Sequence, residues 1–338
     1  MGSAAPGVAA LLGAAALVAA PQGPGTLLDL VILTAFLEAG VRLGVPLALA
    51  ALGETLSERA GVLNIGLEGS IICGALGAAL AALATGSPWT GVLAGGLAGA
   101  AAAAVLALFV LWLNADQIIT GTAVTMGGLG ITAAVYQARF GATGTQLSLP
   151  TLDTWTLPGF SQLPVVGPAF FSQKPTAYLA YLLAPALAWL LFRTAAGLQI
   201  RAVGEDPDAA AAAGIRVRAV RLWATLAGGA LAGVAGAHLT LAFTGTFQPG
   251  MSAGRGFIAI AVVVLGRWHP AWVLAAALFF GAASALQNYL QTLGLDVGYQ
   301  LFLAVPYILT LLALGGWLGR SRAPAALALP WPTRRHGD

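Results

Sequence analysis

The chain is a succession of long apolar runs separated by short polar stretches. A helix needs about 20 apolar residues to cross the hydrocarbon of a bilayer. Eight segments reach that length: 30–52, 61–84, 88–113, 117–137, 174–192, 222–243, 270–290 and 299–318. Two more are marginal. Residues 5–20 are short and rich in small residues, with no Lys or Arg ahead of them as a secretory signal would have, and they read as a retained, weak first helix. In 250–266 only the residues between Arg255 and Arg267 are free of charge, and as a helix they cover about 16 Å, roughly half the hydrocarbon. The pattern predicts an all-α fold, a polytopic transmembrane helical bundle of about ten spans within a range of eight to ten. Residues 1–320 form one transmembrane domain in this reading, and 321–338 a disordered cytoplasmic tail.

Composition agrees. Hydrophobic residues make up 59% of the 338 and charged residues only 8%, against about 25% charged in a soluble domain. The 45 glycines suit helices that approach closely in lipid, and Gly91, Gly95 and Gly99, like Gly229 and Gly233, recur every fourth residue as packing faces do. The single cysteine, Cys73, excludes an internal disulfide.

The net charge of +3 comes almost entirely from arginine. Cytoplasmic loops retain Lys and Arg. With ten spans and the N-terminus inside, Arg59, Arg193, Arg201, Arg216, Arg218, Arg221, Arg267, Arg320, Arg322, Arg334 and Arg335 fall on the cytoplasmic side, whereas Arg139, Lys174 and Arg255 fall outside. Both termini are therefore expected in the cytoplasm. The outer loop, 138–173, reads either as a plug or hairpin over the bundle or as a solvated connector.

The cytoplasmic loop, 193–221, carries a full set of helix signals. Asp206 suits an N-cap, Pro207 the first helical position, Asp208 the positive end of the dipole, and Gly214 the C-terminal stop. A helix over Pro207–Ala213 spans about 10 Å, too short to cross a bilayer. It is either a connector or a small lateral surface that seats in another protein.

Several polar residues fall inside or beside apolar runs, where charges usually face the bundle interior or a wet cavity. Gly53 to Gly69 places Glu54, Glu58, Arg59, Asn64 and Glu68 between two spans. Asn64 and Glu68, four apart, would share a helical face and are candidates to line a translocation path. Pairing with Arg59 at the interface is the alternative. Arg255, buried in the bundle, is either a third such candidate or a tie between the broken segment and its neighbours. Glu38 and Arg42, at i and i+4, are expected to form a structural ion pair.

No catalytic machinery is legible. The only lysine, Lys174, precedes Pro175, so the G-x-x-x-x-G-K-[ST] phosphate loop is missing. His238, His269 and His336 lack metal-ligand spacing, and no nucleophile sits with a base. The chain is not expected to be an enzyme, to bind a metal or to hold a cofactor of its own.

Three stretches carry a family likeness: Ser57-Glu-Arg-Ala-Gly-Val-Leu-Asn-Ile-Gly-Leu-Glu-Gly69, Gly204-Glu-Asp-Pro-Asp-Ala-Ala through Gly214, and Gly254-Arg-Gly-Phe-Ile-Ala through Gly266-Arg-Trp-His-Pro270. Over residues 30–318 the chain resembles permease subunits of the branched-chain-amino-acid/ribose type of bacterial ABC importer, and within it the nucleoside, or simple-sugar, branch. The resemblance implies a type II ABC importer-like arrangement in the bacterial cytoplasmic membrane. It implies ATPase subunits that bind ATP and Mg, a second permease forming a heterodimer, and an extracytoplasmic lipoprotein that captures a nucleoside. It assigns ATPase coupling to Gly204, Glu205, Asp206, Pro207, Asp208, Ala209, Ala210 and Gly214. Two other classes remain open from the residues alone: an ion-coupled secondary transporter of small polar solutes with Glu38, Glu54 or Glu68 as the titrating group, and a membrane scaffold.

Overall fold

A computed structural model describes residues 24–141, 147–292 and 323–332. The marginal helix 5–20 and the span 299–318 lie outside the described residues, as do Arg320, Arg322, Arg334 and Arg335. The described chain is almost wholly helical: α1 (Pro24–Arg59), α2 (Leu67–Thr85), α3 (Pro88–Trp112), α4 (Gln117–Phe140), α5 (Val166–Phe171), α6 (Pro175–Arg193), α7 (Ala195–Glu205), α8 (Pro207–Ala212), α9 (Val217–His238), α10 (Arg255–Leu265) and α11 (Pro270–Thr292). Among the described residues seven helices are long and apolar enough to span: α1, α2, α3, α4, α6, α9 with its extension, and α11. The chain is a multi-pass membrane protein. The half-length α10, 11 residues, is the broken segment expected between Arg255 and Arg267.

Two boundaries differ from the hydropathy reading. The first span continues to Arg59 because its last two turns, though polar, are buried by other helices. The next begins at Leu67 rather than 61. Residues 60–66 are irregular, starting at Gly61 with φ +87°. Asn64 therefore does not share a helical face with Glu68; its carbonyl accepts the Leu67 N–H at 3.1 Å, and Glu68 lies in the first turn of α2.

Helix α9 wedges between α2 and α3 on bare backbone. A methyl group at Gly233 would run into the Gly95 carbonyl oxygen, one at Gly99 into Gly229, and one at Gly74 into Gly233. Helix α11 meets α1 in the same manner, Gly281 against Gly40. These seams realise the four-residue glycine spacing and let dispersion contacts and main-chain polar contacts form where lipid offers little other driving force. Leu47, Leu49, Leu52, Val262 and Phe280 belong to the largest core cluster, among α1, α6, α9, α10 and α11.

The 138–173 loop packs against the bundle. Leu149 N–H donates to the Gly245 carbonyl at 3.0 Å and Leu152 N–H to Leu241 at 2.9 Å, while both side chains are buried beside Tyr136 and Phe247. Lys174 Nζ donates to the Leu152 carbonyl at 2.6 Å. A two-residue antiparallel ladder, β1 (Trp155–Thr156) on β2 (Ser172–Gln173), closes the loop. α9 itself ends in a π-helical turn, Leu239–Thr244.

Two further expectations are corrected. Glu38 and Arg42 are both exposed and make no salt bridge with each other; the Arg42 guanidinium lies over the Phe243 ring, 5.5 Å from its centroid. The tail expected to be disordered packs on the bundle over 323–332, with Ala326 buried, because Gly204 and Gly61 supply partners for its backbone.

Candidate functional site

The 193–221 loop folds as its capping residues dictate. Thr194 caps α7 by accepting the Gly197 N–H at 3.1 Å. The chain then turns at Asp206 (φ −146°, ψ 93°), whose carboxylate accepts the Ala209 N–H at 2.9 Å. Pro207 opens α8, which ends one residue earlier than expected, and Gly214 (φ +83°) reverses the chain toward α9. Glu205, Asp206, Asp208, Ala209 and Gly214 are exposed, with Ala212 and Ala213 beside them. Two of the assigned coupling residues face inward instead. Ala210 is buried among Val203 and Val217, because a six-residue helix must turn one face onto the chain that carries it. Gly204 is buried where a methyl group would strike the Arg59 carbonyl oxygen.

Around that contact lies a layer of rings and guanidinium groups. Arg59 and Arg201 flank the Phe192 ring at 5.7 and 5.3 Å. Phe192 stacks on His269 at 5.0 Å. Burial and the nearby Arg59 charge hold the His269 pKa below its usual value. Arg59 Nε donates to the Trp268 carbonyl at 3.0 Å, and the Trp268 indole N–H donates to the Glu58 carboxylate.

Above this layer the irregular segment 60–66 is held from two sides, as backbone inside a bundle must be. Glu54, fully buried on α1, accepts the Asn64 N–H at 2.8 Å. From α4, Gln117 accepts the Leu63 N–H at 2.8 Å and the Thr125 hydroxyl donates to the Ile65 carbonyl at 3.1 Å. One oxygen each of Glu54 and Glu58, both amide atoms of Asn64 and the Gln117 Nε2 find no partner among the described residues.

Glu68 and Arg255 come together at the α10 entry. The Glu68 carboxylate accepts the Gly254 and Gly256 N–H groups at 2.7 and 2.6 Å, so it caps α10. Arg255 donates to the Met251 and Ser252 carbonyls at 3.0 and 3.1 Å, closing its own turn. Asn64 is fully buried and is held instead by Glu54.

A different face is open. Helix α4 is the least buried of the seven spans. It exposes Thr122, Ala123, Met126, Gly127, Gly130 and Ile131, and nothing described lies within 4 Å of where side chains at Gly127 and Gly130 would begin. With Cys73 of α2 and Phe109 of α3 it borders a groove of about 390 Å³. Hydropathy alone cannot single out α4, since the residues of its open face are small, apolar or neutral, as on the other spans.

A bundle of seven apolar spans with a short capped helix between two of them is the framework of a multi-pass membrane protein. The chain belongs to the family described as branched-chain amino acid transport system permease components, whose model matches residues 36–314. A putative glucose ABC transporter permease of Haloferax volcanii is 43% identical over 263 residues, covering 77% of this chain and 78% of that one. A guanosine ABC transporter permease of Bacillus subtilis is 39% identical over 298 residues, covering 85% and 92%. A nucleoside ABC transporter permease of Lactococcus lactis is 33% identical over 290 residues, covering 83% and 91%. No solved structure matches the chain. The chain is thus a transport subunit rather than an enzyme, and its family implies an ATPase, a substrate-binding component and a second permease as partners.

Proposed function

We propose that this permease carries a nucleoside or related sugar-containing solute inward and receives its power stroke through α8. The solute class rests on the relatives, two named for nucleosides and one for glucose. The coupling role rests on one observation: the exposed edge of α8 sits on a loop whose Gly204 abuts the backbone at Arg59 and Gly61. From Gly61 the chain runs directly into the segment that Gln117 and Thr125 tie to α4. Displacing α8 therefore presses on the backbone that supports α4, the span with the open face. That face, with Asn64 behind it, is where the path lies, against the second permease. Glu68 and Arg255 serve the path indirectly by fixing the α10 entry.

ATP and Mg belong to the partner ATPase. The assembly is type II ABC importer-like, with ten spans per permease, a heterodimeric permease pair and a lipoprotein that delivers the solute. It sits in a bacterial cytoplasmic membrane with both termini and 193–221 inside and 138–173 outside, as the arginine distribution favours.

The test is to place Glu at Ala209 and Ala213, on the exposed side of α8, in the assembled transporter. Both variants are expected to insert normally, lose the co-purifying ATPase and lose uptake of labelled guanosine. Full uptake with the ATPase still bound would reduce α8 to a connector. Guanosine uptake that survives deletion of this subunit while glucose uptake falls would move the solute assignment.

A further inference from the structure

The ordered segment 323–332 plays no part in this coupling scheme, yet it reaches the elements that the scheme links. Ala326 N–H donates to the Gly204 carbonyl at 2.9 Å, and Ala328 N–H to the Gly61 carbonyl at 3.2 Å. These are the two glycines at the junction where α7 meets the end of α1. Arg221, 2% exposed on α9, donates through Nε to the Ala60 carbonyl at 3.2 Å and through Nη1 to the Leu329 carbonyl at 3.0 Å. At the far end the Trp331 indole N–H donates to the Asp208 carboxylate at 2.8 Å, and its ring packs on the cluster of Val203, Ala210 and Val217.

We infer that residues 323–332 are a strap that joins the coupling helix to the 60–66 segment, so that the two move as one body, and that Trp331 is the positioning residue for α8. A six-residue helix with one buried alanine cannot fix its own orientation, because most of its surface faces away from the chain. Asp206 fixes its start and Gly214 its end, and Trp331 grips its side. The strap is also not built to let go. Releasing it would leave the buried Arg221 guanidinium without one of its two acceptors and expose Ala326, and a buried charge without partners is costly. Permanent attachment suits a transmission element and does not suit an inhibitory flap that an ATPase must displace.

The inference rests on α8 being the ATPase seat, and the experiment separates the two. Deleting 323–338 removes Ala326 and an Arg221 acceptor together, so point variants carry the test. In the complete transporter in proteoliposomes, Trp331→Ala and Trp331→Phe are compared with the wild type for ATPase co-purification, ATP hydrolysis and guanosine uptake. Phe keeps a six-membered ring for Ala210 and Val217 and removes the N–H with the rest of the five-membered ring. Both variants should retain the ATPase and hydrolyse ATP, while uptake per ATP falls about five- to fiftyfold in Ala, within the range of ordinary coupling free energies, and less in Phe. A merely structural strap would change abundance or melting temperature and leave uptake per ATP untouched, and that result overturns the inference. Wild-type uptake in both variants overturns it as well. If the Glu variants of Ala209 and Ala213 leave the ATPase bound and uptake normal, the docking reading fails first and the strap's coupling role falls with it.

Discussion

Replacing Glu68 with Gln distinguishes a cap from a path residue. Both carboxylate oxygens are engaged, with Gly254 N–H at 2.7 Å and Gly256 N–H at 2.6 Å, and the side chain is 4% exposed. Glutamine keeps the size and one acceptor but turns an NH2 group toward the second amide, which loses its partner and meets a donor. Hydrogen bonds to a charged acceptor contribute about 1.5–3 kcal/mol each, and an orphaned buried donor costs a similar amount, so the substitution should cost about 2–4 kcal/mol. The favourable placement of a negative charge at the α10 N-terminus is lost as well. A loss of that size should lower the melting temperature of the purified chain by about 5 °C or more, taking the scaling for domains of roughly 150–250 residues. Glu68→Ala, which orphans both amides, should do worse. Solute uptake should fall in step with the folded fraction. Wild-type melting in both variants would refute the cap; wild-type melting with abolished uptake would put Glu68 in the path itself.

Gly233→Ala drives a methyl group into the Gly95 carbonyl and should cost about 1–3 kcal/mol or more by overpacking, read as lower membrane yield and melting temperature. Trp268→Phe strips Glu58 of its indole donor and should cost about 1–3 kcal/mol; combined with Glu58→Gln the loss should be less than the sum of the two, and strict additivity would deny the bond. In a Cys73→Ser background, a cysteine at Ser148 should react with an impermeant maleimide only from outside the cell; labelling from the cytoplasmic side alone would invert the topology.

Local chemistry makes α8 legible in the sequence. Asp206, Pro207 and Gly214 are close neighbours along the chain and act on their own backbone, and the charge-free interval between Arg255 and Arg267 likewise measures out α10. Which way α8 faces is not legible, since Ala209 to Ala213 are chemically identical and only Val203, Val217 and Trp331 decide that Ala210 turns in. The irregular stretch 60–66 is hidden because its hydrogen bonds come from Glu54, Gln117 and Thr125, the last of them 60 positions from its partner. The spacing of Glu38 and Arg42 states what could meet on an isolated helix, whereas Phe243, from another element, takes the guanidinium. The tail is misread for the same reason: nothing in its composition announces that Gly61, Gly204 and Arg221 supply its partners.

The contact of Gly204 with the Arg59 carbonyl has a mechanical meaning. Side chains are the compliant parts of a protein, for a rotamer can swing and absorb a push of about an ångström at a cost of about a kcal/mol. Here two main chains touch with nothing between them, so the joint has almost no play. If α8 is the seat of the ATPase, as proposed, a stroke delivered there would reach the end of α1 with little loss, in the way a rigid pushrod without slack delivers the full throw of a crank. Any side chain at position 204 would force these two main chains apart and break the joint rather than soften it.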